Sequence, residues 1–208
     1  MFDTKKVADT YDQIALNFSA TRGKLSPEVI SLIPRLAEMA KVLDLGCGNG
    51  VLLTAFPTGS VPVSYTGIDI SPALVEEAKR RHPEREFLVA DLTADSTWRQ
   101  LGQFDFIAAL AVFHHLPGTD DHIKLLRNIK QHLKPTGVCL ISIWRLDQPR
   151  FDKFRTDPKH HSIPFHGGAK RDFYAFADDE LAKLAKKVGF SAVKIKIVKD
   201  NLYLTLNP

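Results

Sequence analysis

The sequence predicts an α/β protein whose sheet is mostly parallel. Short apolar runs alternate with longer amphipathic runs along its 208 residues, and strands separated by helices are typical of β-α-β units. The chain is 44% hydrophobic and 25% charged, which is ordinary for a globular protein and excludes a disordered or fibrous one. This length is enough for a sizeable core, so we expect a single domain over residues 1–208.

The first two segments of the predicted domain are an arm and a core. Residues 1–39 are predicted to form a helical arm or lid, with helices over 7–18 and 27–39. Residues 40–147 are predicted to form the core, with strands at 41–45, 65–70, 86–90, 104–110 and 137–143. Between them we expect helices at 71–81, where Ser71 can cap the first turn, and at 121–133, followed by a turn over 134–137.

The basic stretch over residues 148–176 interrupts this rhythm. It contains histidines and prolines and is predicted to be an insertion or a long loop, and loops of that length are often functional. Residues 177–208 are predicted to form a helix at 178–188, closed by Gly189, and two strands at 191–198 and 201–206.

Charge is unevenly distributed along the chain, whose formal net charge is +4. Residues 1–120 contain 11 Lys and Arg against 15 Asp and Glu, whereas residues 121–171 contain 11 against 4. A local basic excess attracts a phosphate backbone or an acidic substrate. A solvated surface without a partner explains it equally well.

Several classes of protein are set aside by what the sequence lacks. No run approaches the ~18 apolar residues of a membrane helix, and the N-terminal residues have no apolar core of the kind a secretory signal contains. Cys47 and Cys139 are the two cysteines, too few for a disulfide framework. We therefore expect a cytoplasmic protein without a metal site.

The strongest local signal is the run Val-Leu-Asp-Leu-Gly-Cys-Gly-Asn-Gly over residues 42–50. An apolar strand leads into Gly46, Gly48 and Gly50, and glycine permits positive φ and close approach of a ligand to the backbone. A turn at the carboxyl end of the first strand is where doubly wound sheets bind nucleotide-like ligands. A tight turn that binds nothing is the alternative.

The spacing of these glycines separates two classes of ligand. The G-x-G-x-x-G pattern that binds a pyrophosphate is absent. Asp44 precedes the glycines, where it would repel a phosphate but balance a cation. The pattern therefore favours a ligand that has an adenosine and a positive centre but no phosphate.

Three further features follow in order. Asp69 ends the second strand and is suited to accept from ribose hydroxyls, and Asp91 follows the third strand and is suited to an adenine amino group. For both residues, capping of a helix is the alternative. The fourth strand ends in small residues and then His114 and His115.

This set of motifs, over about residues 40–145, resembles the class I S-adenosylmethionine (SAM) methyltransferases. The resemblance implies SAM as cofactor and a Rossmann-like seven-stranded sheet in the order 3-2-1-4-5-7-6, with helices on both faces and the seventh strand antiparallel. The predicted cofactor-binding residues are Tyr11, Arg22, Asp44, Gly46, Cys47, Gly48, Asn49, Gly50, Asp69, Ile70, Asp91, Leu92, Ala109 and Ala111.

A second resemblance is to the tRNA wobble-uridine carboxymethyl methyltransferases. Tyr-Asp-Gln-Ile-Ala-Leu-Asn-Phe-Ser-Ala-Thr-Arg over residues 11–22 is similar to the start of that family, and its later motifs have counterparts at 111–115, 162–165, 171–176 and 180–181. Ser26 and Phe165 stand where the family has tryptophans. The resemblance implies methylation of a carboxymethyl group on tRNA, and it raises a small zinc-binding activator subunit as a partner, since eukaryotic members use one.

Candidate catalytic residues follow from the acceptor. A carboxylate is ionised at pH 7 and needs no base, but it needs a cation to orient it, and the planar fork of arginine suits that. Arg22 and Arg171 are the candidates, with Arg145 as a third. For a hydroxyl or amine acceptor, His115 or His114 would take the proton; holding the loop by hydrogen bonds is the alternative.

Two readings differ from the tRNA hypothesis. In one, the enzyme methylates a small-molecule carboxylate, phenol or quinone precursor, and residues 148–176 form a lid over its pocket rather than an RNA surface. In the other, the domain keeps SAM but only recruits a partner. Tyr11 either closes over SAM as part of the lid or packs as a core aromatic.

Overall fold

The computed structural model describes residues 3–56, 64–165 and 168–208. Its strands are β1 Lys41–Leu45, β2 Ser64–Asp69, β3 Glu86–Val89, β4 Phe104–Leu110, β5 Leu133–Trp144, β6 Arg155–Asp157, β7 His160–Pro164, β8 Lys170–Tyr174, β9 Ala192–Val198 and β10 Asn201–Asn207. Seven of them form one sheet in the order β3-β2-β1-β4-β5-β10-β9, and β6-β7-β8 form a second, three-stranded sheet.

The large sheet confirms the predicted fold. Strands β3, β2, β1, β4 and β5 are parallel, and β10 pairs antiparallel with both β5 and β9. This is the order 3-2-1-4-5-7-6 once the strands of the small sheet are left out of the numbering. Central strands covered on both faces are continuously apolar, and residues 106–109 of β4 are fully buried.

The helices are α1 Thr4–Thr21, α2 Pro27–Ile30, α3 Pro72–Arg81, α4 Asp95–Trp98, α5 Thr119–His132 and α6 Glu180–Val188. Short 3-10 turns occur at Val51–Ala55, Phe113–His115 and Pro149–Phe154. Their ends follow local rules: the Ser71 hydroxyl accepts from the backbone N–H of Leu74, and Gly189 ends α6 at a φ of 94°. None of the helices in the described ranges is long and apolar enough to span a membrane.

The predicted helix over residues 27–39 is wrong beyond its first turn. α2 ends at Ile30, and Ser31 follows as its C-cap. Pro34 explains this end, because it lacks a backbone N–H and disfavours the helical conformation in the residue before it.

The predicted turn over residues 134–137 is also wrong, since these residues belong to β5. The pairing of β5 with β4 shifts register between Phe104 and Phe106, so the Pro-Thr-Gly sequence is accommodated as an irregularity of the strand. A Cβ on Gly137 would lie 2.9 Å from the carbonyl oxygen of Lys134. The glycine therefore permits close packing inside a strand rather than a chain reversal.

Residues 148–176 form an insertion, but not the loop predicted as one alternative. The 3-10 turn at Pro149–Phe154 leads into the antiparallel small sheet. Leu146, Ile163, Phe173 and Ala175 form its own buried cluster. These strands are three to five residues long and carry few apolar side chains, so their sequence lacks a clear strand pattern.

The basic excess of residues 121–171 is balanced in part by acids from other segments. Arg145 pairs with Asp178, Arg150 with Asp200 and Lys159 with Glu180. Arg155 pairs inside the segment, with Asp152 and Asp147. The folded surface of the insertion is consequently less positive than its sequence suggests.

Candidate active site

A cavity lies at the carboxyl ends of β1, β2 and β4, with α1 on one side and β8 on another. It encloses about 930 Å³ of empty space, counting the part open to solvent. Many of the predicted site residues line it: Tyr11, Arg22, Gly46, Gly48, Asp69, Ile70, Asp91, Leu92, Ala111, His115 and Arg171. Asp44, Cys47, Asn49, Gly50 and Ala109 do not.

The glycine turn forms the floor of one end, which we call the cofactor end. Gly46 has a φ of 65°, and a Cβ there would lie 2.4 Å from Cγ2 of Val112. Gly46 is thus required both by its left-handed backbone conformation and by the side chain packed against it. The phenyl ring of Phe18, from α1, would lie 3.6 Å from a Cβ on Gly48, so α1 covers this turn.

Asp69 joins the glycine turn to the start of α3. Its carboxylate accepts from the backbone N–H of Gly48 at 2.8 Å and of Ser71 at 2.9 Å. Burial raises the pKa of Asp69, and these backbone hydrogen bonds oppose that rise. A carboxylate has about four lone-pair sites, so the oxygens that face the cavity can still accept from a ligand's hydroxyl groups.

Asp91, like Asp69, accepts hydrogen bonds from the protein and also lines the cavity. One oxygen accepts from the backbone N–H and the hydroxyl of Thr93, both at 2.8 Å. The other accepts from the hydroxyl of Thr4 at 2.9 Å, which ties the first turn of α1 to the end of β3. Asp91 therefore organises the loop and faces the cavity at once.

The predicted residues outside the cavity wall have structural contacts. Asp44 is buried, and the hydroxyl of Tyr65 donates to it at 2.7 Å; burial raises its pKa to about 7. The amide of Asn49 donates to the backbone carbonyl of Arg22 at 3.0 Å, which holds the end of α1 against the glycine turn. Cys47 is buried, Gly50 packs on His82, and Ala109 lies inside β4.

Two arginines, Arg22 and Arg171, line the cavity together with Trp144 and Phe173, and we call this part of the wall the acceptor end. Arg171 is only 6% exposed, and its guanidinium lies 4.6 to 5.3 Å from the ring centres of Trp144, Phe165 and Phe173. Its Nε has no hydrogen-bond partner among the described residues. Arg22 lies over the ring of Phe18 at 5.0 Å, and burial, then the charge of Arg171, lowers its pKa.

No carboxylate in the described ranges forms an ion pair with Arg22 or Arg171. The ion pairs of the insertion involve other cations, and Arg145, the third candidate, is bound to Asp178 by two hydrogen bonds away from the cavity. A buried guanidinium without a counter-ion is costly. The acceptor end is therefore suited to an anionic ligand.

Neither histidine at this end is free to act as a base. His115 is held between the hydroxyl of Tyr11, 2.8 Å from Nε2, and the carbonyl oxygen of Asp172, 3.2 Å from Nδ1. Nδ1 of His114 accepts from the backbone N–H of Trp144 at 3.2 Å. Burial lowers the pKa of His115 to about 4 and that of His114 well below its ordinary value. These contacts favour the alternative in which His114 and His115 hold the loop after β4 by hydrogen bonds.

Sequence reasoning missed several residues of the wall. One group comes from α1, where residues 4, 7 and 18 line the cavity together with the predicted Tyr11 and the C-cap Arg22. These positions follow helical spacing, so a helical-face pattern in the arm could have found Thr4, Val7 and Phe18. Leu74, Leu110, Val112 and Leu116 also line the wall, as do Trp144 and Phe173, for which the sequence suggests either stacking against RNA bases or packing in the core. Within the described residues, no group of three or more His, Cys, Asp or Glu side chains is placed to hold a metal ion.

The sheet order, the glycine turn at the end of β1 and the acids that follow β2 and β3 define a class I SAM-dependent methyltransferase domain. Comparison with known proteins agrees, because a family described as "Methyltransferase domain" matches residues 18–195. The chain belongs to this family.

Two groups of names occur among similar curated proteins. The chain is 34% identical over 152 residues to a trans-aconitate 2-methyltransferase of Azoarcus sp. strain BH72, covering 71% of this chain and 56% of that protein. It is 32% identical over 146 residues to a tRNA (carboxymethyluridine(34)-5-O)-methyltransferase of Arabidopsis thaliana, covering 70% and 34%. The chain thus spans about half or less of the length of these relatives.

Solved structures show the same fold. The chain superposes on the structure titled "DhpI-SAM-HEP complex" with a TM-score of 0.73 and 20% identity, covering 98% of this chain and 97% of that one. At this identity the likeness establishes the fold and leaves the acceptor open.

Proposed function

We propose that this chain transfers the methyl group of SAM to a carboxylate oxygen, which yields a methyl ester. The observation that carries the proposal is Arg171, a buried cation on the cavity wall that has no carboxylate partner in the described part of the chain. The planar guanidinium binds a carboxylate without needing to exchange a proton. Arg22 adds a second positive group beside it.

Methyl transfer to a carboxylate requires no catalytic base, and the described residues of the acceptor end supply none. The carboxylate oxygen attacks the methyl carbon, the bond from that carbon to sulfur breaks, and its electron pair stays on sulfur, so that the sulfonium becomes a thioether. No proton is released. The main task of the residues is to hold oxygen and methyl carbon in line, which agrees with two histidines that are already occupied.

For the molecule that bears the carboxylate, we favour the carboxymethyl group of a tRNA wobble uridine. The run over residues 11–22, which resembles that family, supplies Tyr11 and Arg22 to the wall of the cavity. Both groups of relatives are named for acceptors that bear carboxylates, which supports the chemistry for either source.

A small carboxylic acid is the second candidate, and one observation favours it. Four of the cations over residues 145–159 form ion pairs with acids of the chain itself. A surface already neutralised in this way offers less attraction to a phosphate backbone. The small sheet would then act as the cover of a pocket.

Transfer of tritium from labelled SAM tests both sources. The protein is incubated with total tRNA from a strain that lacks wobble carboxymethyl methylation and, separately, with trans-aconitate and a metabolite extract. Label in tRNA that mild base releases supports the favoured acceptor, and base-labile label only in the small acids supports the second. Base-stable label would contradict the carboxylate chemistry, and no label in any fraction would favour a domain that binds SAM only to recruit a partner.

A small zinc-binding activator subunit is proposed as a partner on separate grounds. β3 is an edge strand of the large sheet, and Leu88 and Val89 on it are 39% and 49% exposed. An exposed apolar edge is a template for pairing with another chain. Co-purification with such a subunit, lost on Leu88→Lys, would support the proposal; a monomer that transfers methyl at an unchanged rate with and without the subunit would contradict it.

A further inference from the structure

Four residues at the acceptor end line one small pocket, and we call them the acceptor-end network: Tyr11, His115, Arg171 and Asp172. They come from α1, the 3-10 turn after β4, and β8. Nδ1 of His115 lies 3.2 Å from the carbonyl oxygen of Asp172. A carbonyl can only accept, so Nδ1 carries the proton.

The state of His115 fixes the direction of the next hydrogen bond. Burial lowers the pKa of His115 to about 4, so at neutral pH the ring is neutral and Nε2 has only a lone pair. The hydroxyl of Tyr11, 2.8 Å away, must therefore donate to it. The one proton of Tyr11 is committed to His115.

The phenol oxygen of Tyr11 is left as an acceptor on its other side. Arg171 is nearby: it lines the same small pocket as Tyr11, His115 and Asp172, and its positive charge opposes the burial that raises the pKa of Tyr11. A guanidinium can only donate, so the two groups match. Arg171 and Asp172 are adjacent on β8, so this strand contributes two of the four residues of the network.

We propose that His115 is a positioning residue, which holds the hydroxyl proton of Tyr11 and thereby keeps the phenol oxygen turned toward Arg171. The proposal rests on the proposed carboxylate chemistry, in which Arg171 orients the acceptor. With the proton turned the other way, Tyr11 would repel the guanidinium and would itself donate to the acceptor carboxylate. A hydrogen bond to the attacking oxygen would make that oxygen a poorer nucleophile.

Glutamine at position 115 separates positioning from general-base catalysis. Its amide oxygen can accept from Tyr11 near the place of Nε2, but it cannot take a proton. Asparagine is shorter: it can donate to the carbonyl of Asp172 but does not reach Tyr11. A base would be lost in both variants, whereas a positioning contact is lost only in His115→Asn.

The test is a double-mutant cycle on the intact protein. The variants are Tyr11→Phe, His115→Asn, their combination, and His115→Gln, assayed with labelled SAM and whichever of trans-aconitate or undermethylated tRNA accepts label. We expect each of the first two to lower kcat/KM for the acceptor about 10- to 50-fold, and the combination to lose no more than either alone, because both remove one contact. His115→Gln should keep more than about a third of kcat/KM.

Controls separate this effect from misfolding. SAM affinity by calorimetry should stay within about threefold in His115→Asn and His115→Gln, since the glycine turn and Asp69 are untouched. Tyr203→Phe, at a buried tyrosine of β10 outside the cavity, is the matched control and should leave kcat/KM unchanged. Tyr11→Phe keeps the ring that packs on Phe18 at 5.3 Å, so it tests the oxygen alone even where substitution of His115 unfolds the protein.

Two results would overturn the proposal. In one, the losses of Tyr11→Phe and His115→Asn multiply; in the other, His115→Gln is as inactive as His115→Asn. Nitrogen-15 NMR of the histidine rings tests the geometry independently of the acceptor: we expect His115 neutral with its proton on Nδ1 at pH 7, and an Nε2 resonance that moves in Tyr11→Phe. A proton on Nε2 would refute the positioning role, whereas a correct tautomer without any ester formed would refute the proposed function alone.

Discussion

The two ends of the cavity differ in how their charged groups are satisfied. At the cofactor end, Asp69 and Asp91 already accept hydrogen bonds from the backbone and from threonines. At the acceptor end, Arg22 and Arg171 have no carboxylate partner in the described chain. The cofactor end is thus organised before any ligand binds, whereas the acceptor end is completed by its ligand. Substitutions at the two ends should therefore act on different measurements.

The largest effect is expected from Arg171→Ala. Removing the guanidinium should lower kcat/KM for the carboxylate acceptor about 1,000-fold, because a partly buried charge pair of about 4 kcal/mol is lost. SAM affinity by calorimetry should change less than about threefold. Arg145→Ala removes a half-buried arginine that lies outside the cavity and is already paired with Asp178, and it serves as the control. If Arg171→Ala lowered SAM affinity as much as it lowers kcat/KM for the acceptor, the two ends would not be functionally distinct.

Asp69→Ala should act on the cofactor end alone. It removes one hydrogen bond to the glycine turn, one to the start of α3 and the acceptor for the ribose, and we expect SAM affinity to fall about 100-fold, or roughly 2.7 kcal/mol. Calorimetry with SAM measures it. Unchanged affinity would remove the assignment of Asp69 to the cofactor.

Arg22→Ala shows where the boundary between the two ends lies. The charge of Arg171 contributes to lowering the pKa of Arg22, but the backbone of Arg22 is held by Asn49 of the glycine turn. We expect SAM affinity to be spared and kcat/KM for the acceptor to fall about 10-fold, since a second, less buried cation contributes less than the first. Equal losses of SAM binding and of transfer would place Arg22 at the cofactor end instead.

The last expected effect is on stability rather than on binding or transfer: a dependence of stability on pH that arises beneath the cofactor end. Burial raises the pKa of Asp44 from 3.8 to about 7, so the folded protein binds a proton that the unfolded chain has released. Stability should therefore fall as pH rises from about 4 to 7, by at most about 1.4 kcal/mol per pH unit, and stay low above 7. Asp44→Asn should be the more stable protein at pH 8 and gain less at pH 5, measured by urea unfolding without ligand. The same gain at both pH values would contradict this.

The same contrast explains which parts of the site the sequence predicted. The cofactor end is built from one run, residues 42–50, and from acids that follow each strand, so spacing alone indicates it. The acceptor end draws Tyr11, His115, Trp144 and Arg171 from four distant segments. Tyr11 and Arg171 entered only through resemblance to a family. Nothing local in the sequence indicates that His115 lies between Tyr11 and the carbonyl of Asp172.

The fold divides in a similar way. The strands of the large sheet were predicted to within a few residues, because parallel buried strands produce long apolar runs. The small sheet was taken for a loop or insertion, since its strands are stabilised by a few contacts, such as those of Ile163 and Phe173, rather than by a repeating pattern. Pro34 is a local signal that the predicted helix over residues 27–39 ends early.

The contact between Gly46 and Val112 has a consequence for the design of variant libraries. The space that a side chain at position 46 would need is occupied by Cγ2 of Val112, a residue 66 positions later. Random substitution at position 46 should therefore return glycine alone, and shortening of Val112 to alanine would have to accompany any alanine at position 46. Even then, the φ of 65° would cost the variant about 1 kcal/mol. Because the side chains at positions 46 and 112 compete for the same space, the two positions should be varied together.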